Sequence, residues 1–283
     1  MITPDQEKYI LRNAQVPEHI PGLMVGISQA DLFLVDSFIC LAKEDWLIFI
    51  GYPLEGSFQE EIFIDALQKT IKQYKPRSTW FIAPEFPDSL KSQARLEESD
   101  DYYRFDLKTQ RTEGNLVRMA QKAAEGLSVI RSRFFSEDHE DLTREFLQRQ
   151  DLPPRIHELY LRMKDYVAFS SSSLILSARD RENRLSAYYI LELGAEKFLT
   201  YVVGCYSRRN YVPHASDLLF FEMIRAAKEG QKEYIHLGLG VNEGISRFKK
   251  KWGGVPFLKY EFGEISSQTR SSSSWLKALA SRL

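Results

Sequence analysis

SDLLFFEMIRAAKEGQKEYIHLGLGVNEGISRFKKKWGG, residues Ser216–Gly254, decides the fold. Ser216 can cap a helix that runs to about Lys228, and Gly230 stops it. YIHLGLG alternates as a strand, and a second helix follows from Asn242 to Trp252. The turn between them, Gly238-Leu-Gly240-Val-Asn-Glu-Gly244, is not a dinucleotide fingerprint, because its glycines are spaced GxGxxxG. They let the backbone turn tightly beside a ligand or another element, and a helix N-terminus there favours an anion.

Working outward, Pro256 to Phe262 supplies a last strand. Upstream, SSLILSA, RLSAYYILEL and KFLTYVVGCY are three strands joined by short turns, which makes them antiparallel neighbours. Before them come two helices, 138–150 and 155–166, broken by Pro153-Pro154. A basic helix near Asn115 and the strand LSVIRSRFF open this half. The order is that of an α+β layer, a mixed and mostly antiparallel sheet flanked by helices.

The first ~110 residues form a smaller αβ unit. DSFICLAKEDWLIFIGYPL reads as a hairpin turning at Lys43-Glu44-Asp45. A helix over 58–74 and the strand STWFIAP follow, and the charged stretch 87–104 reads as a connector. The tail, SSQTRSSSSWLKALASRL, is a Ser-rich linker and a short helix that docks on the body or meets a partner or membrane surface.

With 38 basic and 39 acidic side chains the formal charge is −1, which argues against a dedicated nucleic-acid binder. No apolar run approaches the ~20 residues of a membrane span, and the polar N-terminus is no signal peptide, so the expectation is a cytoplasmic protein. The spacing of Cys and His gives no metal site, and Cys40 and Cys205 sit in apolar runs as buried hydrophobes.

Four cations gather in GISRFKKKWGG. On a wheel at ~100° per residue, Ile245, Phe248 and Trp252 make the buried stripe, and Arg247, Lys250 and Lys251 face solvent, with phosphate attraction as the alternative. Lys249 falls roughly 40° from Ile245, at the border, where an ammonium must snorkel, pair or serve a cleft. His236, at the carboxyl end of its strand, is either a structural histidine or a general base. Arg208 and Arg209 lie in a loop before a helix start, where they suit phosphate or carboxylate or are simply exposed.

The order of elements and the segment 216–254 resemble the GNAT acyltransferase superfamily, nearest the FemAB-like aminoacyl transferases and the catalytic domain of phosphatidylglycerol lysyltransferases. The resemblance implies two GNAT-like units in tandem: a degenerate unit over 1–110, a catalytic unit over 111–265, and the linker and helix over 266–283. It implies transfer of an activated acyl or aminoacyl group, from acyl-CoA or aminoacyl-tRNA, to an amine or hydroxyl of a small-molecule, lipid or peptide acceptor. Lys249 matches the family lysine that steadies the oxyanion. His236 or Tyr201 would assist proton transfer, and Arg208, Arg209, Asp217, Asn242 and Arg247 would contact substrates. His236 stands where relatives more often have Asp or Asn, and the usual acetyl-CoA loop is absent from 207–216. Two rival readings follow: a degenerate GNAT pair that binds a ligand or partner without turnover, and an RNA-binding module using the patch at 247–251.

Overall fold

The computed structural model describes residues 2–109, 114–149 and 154–266. The chain enters through α1 (Pro4–Asn13), whose Thr3 and Gln6 form a capping box, and α2 (Pro21–Ser28). Strands β1 (Asp31–Val35), β2 (Phe38–Lys43) and β3 (Trp46–Ile50) form a meander. Helix α3 (Glu60–Tyr74) crosses to β4 (Ser78–Ala83), and β5 (Ala94–Asp106) follows. The second half runs α4 (Gly114–Ala124), β6 (Leu127–Ser132), α5 (Glu137–Arg149), α6 (Pro154–Phe169), β7 (Ser173–Asp180), β8 (Leu185–Glu192) and β9 (Phe198–Tyr206). Helix α7 (Ala215–Glu229) then crosses to β10 (Tyr234–Leu239), followed by α8 (Glu243–Lys251) and β11 (Val255–Ser266).

All these strands join one sheet, in the order β1-β2-β3-β4-β11-β5-β10-β9-β8-β7-β6. Its two parallel contacts are β3–β4 and β9–β10, each made by a strand–helix–strand step at the end of an antiparallel meander. The same step thus occurs twice in one α+β sheet. The boundary expected at 110 falls among residues not described, and the sheet runs on across it because β5 pairs with β10 and β11. The expected linker and helix over 266–283 lie, from 267 onward, outside the described residues.

The sheet is covered on both faces. One core gathers Leu23 and Met24 of α2 with Leu142 of α5 and Met163 of α6. A second gathers Leu116 of α4 and Leu219 and Met223 of α7 around Leu191, Ile235 and Leu237. A third packs Phe63 and Leu67 of α3 against Phe49 and Phe81.

Two expectations change. The stretch read as a connector contains β5, a 13-residue strand in the middle of the sheet. Its charges are held locally: Lys259 Nζ lies 2.8 Å from Asp101, and Asp100 accepts from the Val241 N–H at 2.9 Å. Ser216 is not the cap of α7; that place belongs to His214, in the left-handed region at φ 64°, and its side chain caps no backbone N–H.

Candidate active site

The two parallel strand pairs differ where a ligand could enter. Strand β3 stays zipped to β4 from Trp46 to Ile50, and the Gly51 N–H continues the ladder to the Ile82 carbonyl at 2.6 Å. The ring of Phe63 closes over Gly51, where an added Cβ would lie 2.6 Å from it. Strand β9 pairs with β10 only at Phe198–Tyr234, Leu199–Ile235 and Thr200–His236. Beyond that point each strand carries a bulge against its other neighbour, β9 at Val202 and β10 at Leu237, so the two strands bend apart. Gly238, at φ 71°, permits the bend in β10.

A cavity of about 430 Å³ fills the gap. Phe146, Leu159 and Tyr160 of α5 and α6 line it from one face of the sheet, and Ser216, Phe220 and Phe248 from the other. Tyr201 to Tyr206 and Leu237 to Leu239 form its strand walls. Most of this lining is apolar or aromatic, the usual make-up of a small-molecule site.

Lys249 stands on this wall although it is only 4% exposed. Asn242 caps α8 by accepting from the Ile245 N–H at 2.9 Å, which starts the helix where Lys249 turns inward. Its Nζ donates to the Leu239 carbonyl at 2.5 Å and lies 5.7 Å from the Tyr103 ring centre. Burial lowers its pKa to about 7, and the Asp100 carboxylate acts in the opposite direction. Asp100 also shapes the turn. Its two oxygens sit against Gly240 and the Val241 N–H, with Val241 in the left-handed region at φ 62°. Nothing in the amino-acid sequence points to Asp100, because its strand reads as a connector.

The other candidates divide. Tyr201 and Asn242 line the cavity with Lys249. The Tyr201 ring packs edge-on to Tyr189 at 4.9 Å, and burial raises its phenol pKa, so it carries its proton at neutral pH. Ile245 and Phe248, expected in the buried stripe, are half-buried and line the cavity, while Trp252 alone of the three is fully buried.

His236 lies in an aromatic box of Tyr102, Phe198 and Phe257 rather than among the cavity-lining residues. Its Nδ1 accepts from the Gly238 N–H at 3.2 Å, which puts the proton on Nε2, a buried atom with no hydrogen-bond partner. Burial, then the nearby Lys249, hold its pKa well below the ordinary imidazole value.

Asp217 is a clasp between helices. It is 5% exposed and accepts from Lys251 Nζ at 2.6 Å and Trp252 Nε1 at 3.0 Å, with His214 Nδ1 at 3.0 Å. Lys251 is exposed, as expected, and its ammonium is paired with Asp217. With Lys249 turned inward, Arg247 and Lys250 are what the 247–251 patch leaves exposed without a described ion pair. Arg208 and Arg209 are exposed at the rim, two and three residues beyond cavity-lining Tyr206.

Cys205 also lines the cavity, but burial pushes its thiol up to about 12, so it is no thiolate nucleophile. Among the described residues, no group of three or more His, Cys, Asp or Glu is placed to hold a metal ion, and no helix is long and apolar enough to cross a membrane.

Two copies of one strand–helix–strand step in a single sheet, one zipped and one parted, make this a tandem GNAT-like fold. Solved structures share it. The C-terminal domain of a protein assigned as a lysylphosphatidylglycerol synthetase from Agrobacterium fabrum has a TM-score of 0.58 at 14% identity, covering 98% of this chain and 94% of its own. FemX has a TM-score of 0.61 at 11% identity, covering 92% and 96%. A tandem GNAT protein from the clavulanic acid biosynthesis pathway has a TM-score of 0.56 at 9% identity, covering 95% and 97%. No family model matches the chain, and no curated protein does.

Proposed function

We propose that the protein is an acyl or aminoacyl transferase whose reaction takes place between the parted strands β9 and β10. The observation that carries this reading is the Lys249 ammonium on the wall of a cavity lined by residues from both faces of the sheet. One substrate can occupy each side, with the reacting carbonyl between them. The names of two similar structures, a domain of a protein assigned as a lysylphosphatidylglycerol synthetase and a tandem GNAT protein, support transfer chemistry on this fold.

In the proposed reaction an amine or hydroxyl of the acceptor attacks the carbonyl carbon of the donor. A new C–N or C–O bond forms, and the carbonyl oxygen becomes an anion that Lys249 stabilises at short range against a mostly apolar wall. The intermediate collapses with cleavage of the donor's ester C–O or thioester C–S bond. Tyr201, which keeps its proton, relays the acceptor's proton to the departing oxygen or sulfur. Arg208, Arg209 and Arg247 attract donor phosphates at the rim, and Asn242 holds the start of α8 in register. The donor is an acyl-CoA or an aminoacyl-tRNA; the acceptor is a small molecule, lipid or peptide with an apolar portion matching the lining.

The test is transfer of radiolabelled acyl or aminoacyl groups from these donors to lipid and peptide acceptors. The reading expects a labelled product that Lys249→Met abolishes. A product formed equally well by Lys249→Met removes the mechanism.

A further inference from the structure

We propose that Glu145 is a built-in counter-anion that keeps diphosphate-bearing donors, acyl-CoA among them, from gripping the rim of the cavity. The inference rests on the transferase reading and narrows its donor.

The rim between β9 and α7 has the ingredients of an anion site: a strand end, backbone N–H groups that converge, and a helix start. Its amides are already taken. Glu145, on α5, accepts from the Arg208 N–H at 2.6 Å and the Arg209 N–H at 3.3 Å. It also accepts from Ser207 Oγ at 2.8 Å and Arg149 Nη1 at 3.1 Å. Burial alone would raise this carboxyl's pKa, but these donors outweigh it and lower it, so the group stays ionised. The guanidinium of Arg149 lies 4.3 Å from the Tyr206 ring centre, which holds it in place.

The helix start is neutralised as well. Asp217 sits in the first turn of α7 and is buried under Lys251, Trp252 and His214. Glu145 precedes Phe146, and Ser207 follows Tyr206; both aromatic residues line the cavity. A diphosphate arriving there meets the Glu145 carboxylate and no vacant Arg208 or Arg209 amide. What remains for a donor is the exposed side chains of Arg208 and Arg209, which suit a spread-out phosphate backbone better than one compact diphosphate.

The experiment is titration calorimetry of the whole chain with coenzyme A and with adenosine 3′,5′-bisphosphate. Glu145→Gln keeps the shape and an acceptor oxygen and removes the charge; Glu145→Ala removes both. Both variants are expected to bind coenzyme A more tightly than the unaltered chain, by about tenfold or more. The bisphosphate lacks the diphosphate and is expected to gain less. Ser207→Ala, which leaves the carboxylate in place, is expected to gain nothing. Circular dichroism verifies folding, and if Glu145→Ala unfolds, Glu145→Gln decides. The inference is overturned if Glu145→Gln binds coenzyme A no more tightly than the unaltered chain. Binding gained by Glu145→Gln in a chain without transfer activity keeps this inference and removes the proposed function.

Discussion

The ammonium nitrogen of Lys249 and the carbonyl oxygen of Leu239 lie 2.5 Å apart, joining the last turn of α8 to the end of β10. One hydrogen bond thus fixes a cation at the point where the sheet opens. It occupies only one of the three donors of an ammonium, leaving others for a ligand.

If that cation stabilises a developing oxyanion, Lys249→Met lowers the transfer rate by about 10²–10³-fold, the usual effect of removing one such donor. The activity is expected to fall as pH rises through about 7, where the amine loses its proton. A pH–rate profile that stays flat from pH 6 to 9 contradicts this.

The same group leaves a mark on stability. An unfolded lysine holds its proton up to about 10.5, whereas Lys249 in the fold gives it up near 7. Between these values the unfolded state binds more protons, so folding becomes more favourable as pH rises. The penalty is complete below about pH 7 and relieved towards pH 10.5. Urea unfolding at pH 7 and pH 9.5 is expected to show a stability gain in the unaltered chain relative to Lys249→Met; parallel pH dependences would refute it.

Asp217 is expected to matter for folding more than for chemistry. Asp217→Ala strands Trp252 Nε1, a buried donor, and leaves Lys251 without its partner. The expected loss is about 2–4 kcal/mol by denaturant titration. Lys251→Met, at a side chain 37% exposed, should lose under about 1 kcal/mol.

Gly204 offers a way to fill the cavity. A Cβ there would lie 2.3 Å from the Tyr201 hydroxyl and 2.7 Å from the Tyr189 ring. Gly204→Ala is expected to displace Tyr201 and weaken ligand binding at least about tenfold, a larger effect than its loss of stability. Calorimetry beside thermal unfolding separates the two.

Arg208→Ala with Arg209→Ala should weaken binding of a tRNA donor and flatten its salt dependence. The log–log slope should shrink by up to about one unit for each phosphate no longer neutralised. Unchanged binding at every salt concentration removes both side chains from the donor site.

The stretch 216–254 is legible because a helix, an alternating strand and a second helix each keep their own period there. Lys249 stands out for the same reason: the wheel places it beside the apolar stripe. A wheel does not separate an apolar face that packs from one that lines a cavity, so Ile245 and Phe248 read as core. Strand β5 is hidden because Asp100 and Asp101 interrupt its alternation, and their partners, Val241 and Lys259, are far away in sequence. Glu145 gives no signal at all. A single acidic residue on an amphipathic helix resembles any solvated one until the loop at 207–209 folds against it.

Strand β11, near the end of the chain, lies between β4 and β5, both made before residue 107. While a ribosome is still translating the middle of the protein, those two strands each keep an unpaired edge where β11 will sit. The first half of the molecule therefore cannot finish folding by itself. Its last hydrogen bonds wait for residues 255–266 to emerge, and until then a chaperone, or another nascent chain, can reach the gap.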